Sequence, residues 1–430
     1  MTTARVVAPF RLPPDCDVEL PGSKSITNRA LLVAALAEGR SRLGRVLFSD
    51  DTEAMLGALA VLGVTTEVDR DAAEVVVVGT GGRLQPGPLD IDARSAGTVA
   101  RFLPPVLLLG GGPYRLDGSE QLRRRPLGDL VAALRDLGAT VEDPSGVGRL
   151  PIVVSGVGGA GLGRTVRVAA DVSSQFVTAL MQVGPMLVEG IEIVLTTDAV
   201  SRPYLAMTAS VMAAFGASAE VTDRHVTVAP GGYRPTDYVV EPDASAASYF
   251  FAAAATTGGR VRVPGLGRGS LQGDLAFVDV LARMGAEVHH GADWTEVRGP
   301  QPGTLRGVDV DLADISDTAP TLAVVAAVAS GPSRLRGIGF IRNKESDRIG
   351  DVIAELRLLG VDASEEPDGM LIRPDAGRLH PATVDPHGDH RLAMSFAVLA
   401  LSVPGVAIDD PRCVEKTFPE FWSTFEGMRT

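Results

Sequence analysis

The stretch that decides the fold is Pro-Gly-Ser-Lys-Ser-Ile-Thr-Asn-Arg, residues 21–29, with the apolar run 30–36 directly after it. Proline and glycine end a strand-like segment, and Ser23 is a favourable N-cap, so the apolar run predicts a buried helix. Lys24 and Arg29 then lie in its first turns, beside free backbone N–H groups and the positive end of the helix dipole. Cations at this end oppose the dipole, which favours a phosphate or carboxylate site over a capped helix with solvated charges.

The composition is that of a globular protein with two or more domains. The chain has 430 residues, of which 45% are hydrophobic and 22% charged. The net charge of −13 argues against a nucleic-acid partner, and the absence of a CxxC motif argues against a disulfide framework or a thiolate metal site. Because we find no signal peptide and no apolar run long enough to span a bilayer, we expect a cytoplasmic protein that does not contact a membrane.

A glycine-capped helix end recurs along the chain. An apolar residue, a glycine and a small or β-branched residue follow one another at intervals of roughly 75 residues. The glycines, which we expect to end each helix in the left-handed conformation, are Gly63, Gly138, Gly216, Gly285 and Gly360, with a weaker sixth at Gly427. A period of this length suits a compact supersecondary unit rather than a solenoid repeat.

Each unit also contains an earlier helix that is apolar nearly all round and should be buried. A capping residue precedes each apolar run, and the predicted helix starts are Ser23, Ser95, Ser173, Asp243, Asp317 and Asp389. A strand-like segment and a second, amphipathic helix follow, so each unit is predicted to be βαβαββ. Six such units predict an α/β fold of two domains, with three units and a set of parallel buried helices in each.

We expect the domain boundary near residues 241–243. The first domain would comprise residues 23–242, and the second would comprise residues 243–430, completed by the N-terminal strand within residues 1–22. The chain would then cross between the domains twice, near 21–23 and near 241–243, and two adjacent crossings would form a hinge.

The starts of the buried helices are the places to look for chemistry, since parallel helices present their N-termini on one side. Capping serines and solvated arginines would explain any one of these starts, but not the accumulation of cationic and hydroxyl side chains at equivalent positions of different units. These starts and the loops near them carry Lys24, Ser25, Arg29, Gly97, Arg101, Arg125, Ser173, Ser174, Gln175, Ser201, Tyr204, Lys344, Arg348, Arg391 and Lys416.

Asp317 and Glu345 are the two acids embedded among these cations. Neighbouring cations favour the ionised carboxylate, which can accept a proton from a hydroxyl group. A helix N-cap is the alternative role for Asp317, and the residues alone favour it. His387 and His390 have an HxxH spacing, but the glycine between them and the lack of a further ligand nearby favour a turn over a metal site.

At these positions the chain resembles the 5-enolpyruvylshikimate-3-phosphate synthase family of enolpyruvyl transferases. The motifs that carry the resemblance run in order through nearly the whole chain: LPGSKSITNRALL at 20–32, SAGT at 95–98 with Arg101, RP at 125–126, SSQ at 173–175, SRPY at 201–204, Asp317, KESDR at 344–348, DHRLAM at 389–394 and KTFP at 416–419. The resemblance implies a two-domain inverse α/β barrel-like fold, which agrees with the six predicted units.

The resemblance also implies a reaction, the transfer of the enolpyruvyl group of phosphoenolpyruvate to the 5-hydroxyl of shikimate 3-phosphate. Phosphate is released, the path runs through a tetrahedral intermediate, and neither a metal nor an organic cofactor takes part. This is a step of the shikimate pathway of aromatic amino acid biosynthesis. We therefore expect small anionic substrates as partners, and a monomer.

The same resemblance assigns roles to individual residues. Asp317 would accept the proton of the 5-hydroxyl, and Glu345 with Lys24 would move a proton to and from the methylene carbon. Shikimate 3-phosphate would be bound by Lys24, Ser25, Arg29, Ser173, Ser174, Gln175, Ser201, Tyr204, Asp317 and Lys344. Phosphoenolpyruvate would be bound by Lys24, Gly97, Arg125, Gln175, Arg348, Arg391 and Lys416.

Two departures and three alternatives accompany this interpretation. Ser95 stands where many members have Asn, and Phe340 stands where some have an Asn that reaches the shikimate phosphate. One alternative is UDP-N-acetylglucosamine enolpyruvyl transferase, although the loop 119–125 lacks the cysteine typical of that family. The others are a non-catalytic anion-binding relative, which would have no use for buried acids, and a metal hydrolase built on His387 and His390.

Overall fold

The computed structural model describes residues 4–156, 158 and 162–429. The chain divides into two compact units. Gly22–Glu241 form one, here called the continuous unit, and Met1–Pro21 with Pro242–Thr430 form the other, here called the discontinuous unit. In the described residues, no helix has the length and apolar character needed to cross a membrane.

Helices and strands alternate through both units. The α-helices are α1 (Lys24–Leu36), α2 (Asp50–Val61), α3 (Gly97–Leu107), α4 (Glu120–Arg123), α5 (Gly128–Asp136), α6 (Ser174–Val183), α7 (Pro203–Ala214), α8 (Ala244–Thr257), α9 (Phe277–Met284), α10 (Ala319–Ala326), α11 (Gly350–Leu358), α12 (His390–Ala400) and α13 (Phe421–Gly427). Short 3-10 helices lie at Gly184–Met186, Gly273–Ala276, Ala313–Thr318, Gly339–Asn343 and Pro411–Lys416.

The strands are short. They are β1 (Arg5–Val6), β2 (Asp15–Asp17), β3 (Glu38–Gly44), β4 (Thr65–Asp69), β5 (Glu74–Thr80), β6 (Leu89–Asp92), β7 (Tyr114–Asp117), β8 (Thr140–Glu142), β9 (Ile152–Ser155), β10 (Thr165–Val168), β11 (Ile191–Leu195), β12 (Ala219–Val221), β13 (His225–Val228), β14 (Tyr238–Val239), β15 (Arg260–Pro264), β16 (Glu287–His290), β17 (Trp294–Arg298), β18 (Asp309–Asp311), β19 (Ser333–Arg336), β20 (Asp362–Glu366), β21 (Gly369–Arg373), β22 (Thr383–Val384) and β23 (Ala407–Ile408).

The sheets follow one plan. In the order β6-β7-β9-β8, strands β6 and β7 are parallel with α3 between them in sequence, and β8 and β9 form an antiparallel hairpin after α5. The orders β14-β3-β5-β4 and β10-β11-β13-β12 repeat this plan in the continuous unit, and β16-β17-β15-β2 and β18-β19-β21-β20 repeat it in the discontinuous unit. The βαβαββ plan and the α/β fold class predicted from the sequence are therefore confirmed.

Two of these sheets take their first strand from a distant part of the chain. β14 pairs in parallel with β3, and β2 pairs in parallel with β15, with Cys16 opposite Val261. The sixth sheet, β1-β23-β22, differs from the expected unit, because the chain after β23 forms a 3-10 helix and α13 instead of a hairpin. The aromatic rings of α13 pack around Phe250 in the core, and β1 covers the edge of β23 instead.

The glycine caps behave as predicted. Each of the five principal glycines has a positive φ, between 83° at Gly216 and 116° at Gly285. A left-handed residue at this position ends a helix and is accessible to glycine at little cost. The weaker sixth glycine, Gly427, lies inside α13.

The first helix of each unit forms the core, as its apolar composition predicts. All residues of α8 from Ala244 to Thr256 are buried, and so is every residue of α3. α3 packs on α6, and α10 packs on α8 and α12. Alanine and serine on these faces allow the close approach of neighbouring helices, so the helix starts are held in fixed positions by the packed core.

Four of the predicted helix starts are correct, and two are wrong. Ser173, Asp243 and Asp389 accept a backbone N–H of the first turn, and Ser23 is the N-cap of α1 without such a bond. By contrast, α3 starts at Gly97 and α10 at Ala319, after Ala96 and Thr318 as N-caps. The Ser95 hydroxyl donates to Ser119 instead (2.9 Å), and Asp317 lies in the preceding 3-10 helix, where a kink at Ile315 redirects the chain.

Candidate active site

The start of α1 carries a cation that is paired with a buried acid. Lys24 is the first residue of the helix, and its ammonium lies 3.4 Å from Asp51 Oδ2, whose side chain is 2% exposed. Asp51 is held in the first turn of α2, where Ser49 and Thr52 form a capping box. The pair fixes the ammonium in position, and Asp51 is a residue that the sequence analysis did not single out.

Arg29 lies deeper in the same unit. The side chain is 1% exposed, and its guanidinium donates to the hydroxyl of Thr208 (2.8 Å), to the hydroxyl of Thr178 (3.4 Å) and to the carbonyl of Ser25 (2.8 Å). It also faces the ring of Tyr204, and burial lowers its pKa to about 10. Among the described residues, no carboxylate pairs with it. Burial of a cation among neutral groups is unfavourable, and an anionic partner would offset its cost.

Glycine at the start of α3 allows two arginines to approach its backbone. A Cβ atom on Gly97 would lie 2.5 Å from Nη1 of Arg125 and 3.0 Å from Nη1 of Arg101. Arg101 donates to the carbonyls of Gly97 (3.1 Å) and Pro126 (3.2 Å), and both arginines are buried. The Asn28 amide donates to Thr98 (2.8 Å), which ties α1 to α3. The start of α3 therefore holds two buried cations next to a helix N-terminus.

The remaining predicted residues of the continuous unit lie at the starts of α6 and α7. Ser173 caps α6, and both Ser173 and Ser174 are buried. Gln175 is the second residue of α6, and its side-chain oxygen has no hydrogen-bond partner within the described residues. Ser201 is buried with a φ of 51°, a strained conformation for a residue with a side chain, and it leads into Tyr204 in the first turn of α7. The serine and tyrosine hydroxyls predicted for the site in this part of the chain therefore lie at or just before the starts of α6 and α7.

In the discontinuous unit, Arg348 is the centre of a charged network. The guanidinium is 2% exposed and donates to Asp389 (2.7 Å), to Glu345 (2.7 Å) and to Asp317 (3.1 Å). Burial alone would lower the pKa of Arg348, but the three carboxylates outweigh that effect and raise it. The two acids predicted from the sequence are thus bound to one buried cation.

Arg391 is the second cation of the network. Its Nη2 donates to Asp317 (2.7 Å), and its Nη1 is 3.5 Å from the hydroxyl of Tyr249. Burial raises the pKa of that tyrosine to about 12, which keeps it a neutral partner. Asp317 therefore receives a hydrogen bond from each of two guanidinium groups, so the alternative in which it caps a helix is wrong.

Two lysines border the network. Lys416, at the end of the 3-10 helix Pro411–Lys416, places its ammonium 3.6 Å from Glu345 Oε1. The ammonium of Lys344 lies over the ring of Phe340, 5.6 Å from its centre. A cation over an aromatic face is attracted by the ring quadrupole. Phe340 therefore supports the position of Lys344.

Several side chains of these clusters were not among the predicted site residues. Asp51 and Asp389 are buried carboxylates beside cations, and Tyr249 and Thr208 are buried hydroxyls beside arginines. Of these, only Asp389 carried a signal, as the predicted start of a helix. In the described part of the chain no group of three His, Cys, Asp or Glu side chains is arranged to hold a metal ion.

Comparison with known proteins now adds to this geometry. The family model described as EPSP synthase (3-phosphoshikimate 1-carboxyvinyltransferase) matches residues 13–425. The chain belongs to the EPSP synthase family. It is 44% identical over 418 residues to a 3-phosphoshikimate 1-carboxyvinyltransferase of Nostoc sp., covering 97% of each chain. It is also 44% identical over 421 residues to the enzyme of the same name from Ralstonia nicotianae, covering 96% of each.

Solved structures show the same fold. EPSP synthase from Acinetobacter baumannii superposes with a TM-score of 0.82 at 24% identity, covering 99% of this chain and 98% of that one. The enolpyruvyl transferase NikO from Streptomyces tendae superposes with a TM-score of 0.78 at 18% identity, covering 100% of this chain and 98% of that one. At these identities the likeness concerns the fold, and it agrees with the predicted two-domain α/β architecture of the EPSP synthase family.

Proposed function

We propose that this chain catalyses the reaction named for its family, the transfer of the enolpyruvyl group of phosphoenolpyruvate to the 5-hydroxyl of shikimate 3-phosphate. The products are 5-enolpyruvylshikimate 3-phosphate and inorganic phosphate. The observation that carries the proposal is the binding of two acids, Asp317 and Glu345, to one buried guanidinium, Arg348. Simple anion binding would require the cation but neither acid.

In the continuous unit, the cations and hydroxyls support binding of anionic groups. We propose that Lys24, Ser25, Arg29, Ser173, Ser174, Gln175, Ser201 and Tyr204 contact shikimate 3-phosphate, together with Asp317 and Lys344 of the discontinuous unit. Lys24, Gly97, Arg125 and Gln175 would contact phosphoenolpyruvate, together with Arg348, Arg391 and Lys416. Arginine suits this task because its planar guanidinium can engage a carboxylate or phosphate through two parallel hydrogen bonds.

The acids supply the proton transfers. Asp317 would accept the proton of the 5-hydroxyl as the oxygen bonds to the central carbon of phosphoenolpyruvate. Glu345 and Lys24 would deliver a proton to the methylene carbon, which becomes a methyl group in a tetrahedral adduct. Loss of phosphate and return of one methyl proton would then restore the double bond. The cations would stabilise the charge that develops along this path, while the fold orients the reactants and excludes water.

We also propose that the two chain crossings act as a hinge on substrate binding, near 21–23 and 241–243. The Ser23 N–H donates to the Glu241 carbonyl (2.8 Å) within the continuous unit. The Asp243 N–H donates to the Pro21 carbonyl (3.0 Å) within the discontinuous unit. Short connections anchored on each side confine backbone rotation to a few residues. Solution scattering should report a smaller radius of gyration with saturating shikimate 3-phosphate, and an unchanged radius would contradict the hinge.

The experiment that tests the function is a phosphate-release assay on the purified chain. Phosphoenolpyruvate is supplied with and without shikimate 3-phosphate, in the presence of a metal chelator. Release that depends on shikimate 3-phosphate and survives the chelator is the expected result. Lys24→Met should nearly abolish it while leaving the folded protein intact. Absence of release would overturn the proposal, and release with UDP-N-acetylglucosamine as acceptor would replace it with the related transferase.

A further inference from the structure

A buried acid outside the proposed substrate-binding set lies close to Asp317. The 3-10 helix Gly273–Ala276 packs against α8 on one side and against the 3-10 helix Ala313–Thr318, which carries Asp317, on the other. Its Asp274 is 3% exposed, and the hydroxyl of Ser245 donates to its carboxylate. A buried carboxyl next to the proposed catalytic acid is a group whose charge matters to the reaction.

The backbone around Asp274 is held in place. Gln272 accepts the N–H of Ala244 at the start of α8 (3.0 Å) and donates its amide to the carbonyl of Pro242 (2.6 Å). These two bonds fix the chain two residues before Asp274. They anchor the segment that carries the buried Asp274 carboxyl against the start of α8.

The charged groups that face Asp274 come from three elements. Asp317 belongs to the adjacent 3-10 helix, Asp243 caps α8, and Arg391 comes from α12. On α9, which continues from the same segment, Asp279 is exposed. Burial, above all, and the carboxylates of Asp317 and Asp243 raise the pKa of Asp274, while Arg391 and the Ser245 hydroxyl lower it, and the net pKa is about 6.

The charges around Asp317, the proposed base, determine how readily it accepts a proton. Asp317 accepts hydrogen bonds from Arg348 (3.1 Å) and Arg391 (2.7 Å). Two cations at hydrogen-bond distance stabilise the ionised carboxylate and so weaken it as a proton acceptor. A negative charge on Asp274 acts in the opposite direction, since it favours protonation of Asp317.

We propose that Asp274 is a positioning residue for the reaction, whose buried negative charge offsets the two arginines at Asp317 and keeps Asp317 able to accept the substrate proton. This inference rests on the proposed function. As the pH falls and Asp274 becomes protonated, the base weakens before Asp317 itself is protonated. The decrease of kcat/KM at acidic pH, here called the acid limb, then reflects the protonation of Asp274 as well as that of Asp317.

The test is the pH profile of kcat/KM for Asp274→Asn, measured by phosphate release. The variant lacks the offsetting charge at every pH, so we expect a plateau roughly three- to tenfold below that of the wild type and an acid limb displaced to lower pH by about one unit. As a control, Asp279→Asn removes an exposed negative charge five residues further along the chain and should leave the plateau and the acid limb unchanged. Ser245→Ala keeps the acid but removes a hydroxyl that stabilises its ionised form, so its acid limb should move to higher pH.

The acid limb should move to lower pH in Asp274→Asn and to higher pH in Ser245→Ala. A purely structural role of Asp274 would not produce these opposite shifts. An acid limb of Asp274→Asn at the wild-type pH overturns the inference, whatever happens to the plateau. If Asp274→Asn does not fold, the pH profile of Ser245→Ala is the test. An acid limb of Ser245→Ala at the wild-type pH then overturns the inference. If the wild-type protein does not release phosphate, both the proposed function and this inference are overturned. If it does release phosphate but the acid limbs of the variants stay at the wild-type pH, only the inference is overturned.

Discussion

Adding one methyl group at the start of α3 should weaken phosphoenolpyruvate binding without unfolding the protein. In Gly97→Ala the new Cβ would lie 2.5 Å from Nη1 and 3.0 Å from Cζ of Arg125, and 3.0 Å from Nη1 of Arg101. To restore an ordinary van der Waals separation, the Arg125 guanidinium must retreat by about 1 Å. The backbone is not strained, because Gly97 is helical and its φ is not positive.

The size of the effect follows from that retreat. A displacement of about 1 Å can cost up to roughly a hundredfold where a group must match its ligand. Arg125 sits at the end of a flexible side chain, so we expect a smaller loss, an increase of roughly tenfold in KM for phosphoenolpyruvate, equivalent to about 1.4 kcal/mol. The KM for shikimate 3-phosphate should stay near the wild-type value, because the proposed contacts of Arg125 are to the other substrate.

The assay is steady-state phosphate release with each substrate varied in turn. Gly57→Ala is the matched control, since a Cβ there meets no atom within 4 Å and the position is inside α2. The control should keep wild-type kinetics and gain about 0.5–1 kcal/mol of stability from helix propensity. An unchanged KM for phosphoenolpyruvate in Gly97→Ala, or an equal rise in both KM values, would refute the reasoning.

Three further predictions concern the charged network of the discontinuous unit. Asp317→Asn should lower kcat by roughly 10²–10⁴ in a protein that still folds, and a rate within tenfold of wild type would contradict its role as base. Asp389→Ala removes a buried partner of Arg348 and should cost roughly 3–5 kcal/mol in urea unfolding; a loss below about 1 kcal/mol would show that the pair is dispensable. The carboxyl of Asp274 has a pKa of about 6 in the fold against an ordinary 3.8, so its ionisation destabilises the protein progressively as the pH rises from about 4 through 6. The unfolding free energy of Asp274→Asn should therefore rise relative to wild type by roughly 3 kcal/mol between pH 4 and 7, and a difference that is constant across this range would contradict the shifted pKa.

The local parts of the fold could be predicted from the sequence. The left-handed glycines end their helices as expected, because a residue with positive φ after an apolar run is determined by the nearest few residues. The same holds for the caps at Ser173, Asp243 and Asp389. Each of these interactions spans no more than one helical turn, so the pattern carries enough information to place it.

The role of Asp317 shows why the rest could not be predicted from local pattern. A short polar residue before an apolar helix is an N-cap in most sequences, and here Thr318 takes that position. The partners of Asp317 are Arg348 and Arg391, which lie 31 and 74 residues further along the chain. Asp51 and Tyr249 were not predicted for the same reason. The cations that they contact, Lys24 and Arg391, are distant in sequence and belong to other helices. The residue pattern raised Asp317 as a candidate base but favoured a helix cap, and the family resemblance favoured the base.

The N-terminal edge strand was expected within residues 1–22, but the bounds and partners of the edge strands could not be read from sequence patterns, for a different reason. β2 is Asp-Cys-Asp and β14 is Tyr-Val, and neither is long enough to show an alternation of apolar and polar residues. What determines each of them is the exposed edge that it covers, β15 for β2 and β3 for β14. A strand of two or three residues is specified by its partner rather than by its own composition.

The partners of these edge strands determine the order in which parts of the chain can fold during synthesis. The continuous unit is made from one uninterrupted stretch, and its last strand, β14, can pair with β3 once residue 239 has been synthesised. The N-terminal strands must wait longer, since β2 pairs with residues 260–262 and β1 pairs with residues 407–408. β1 and β2 can therefore pair only after residues much further along the chain have been made, and the continuous unit can fold before either of them is paired.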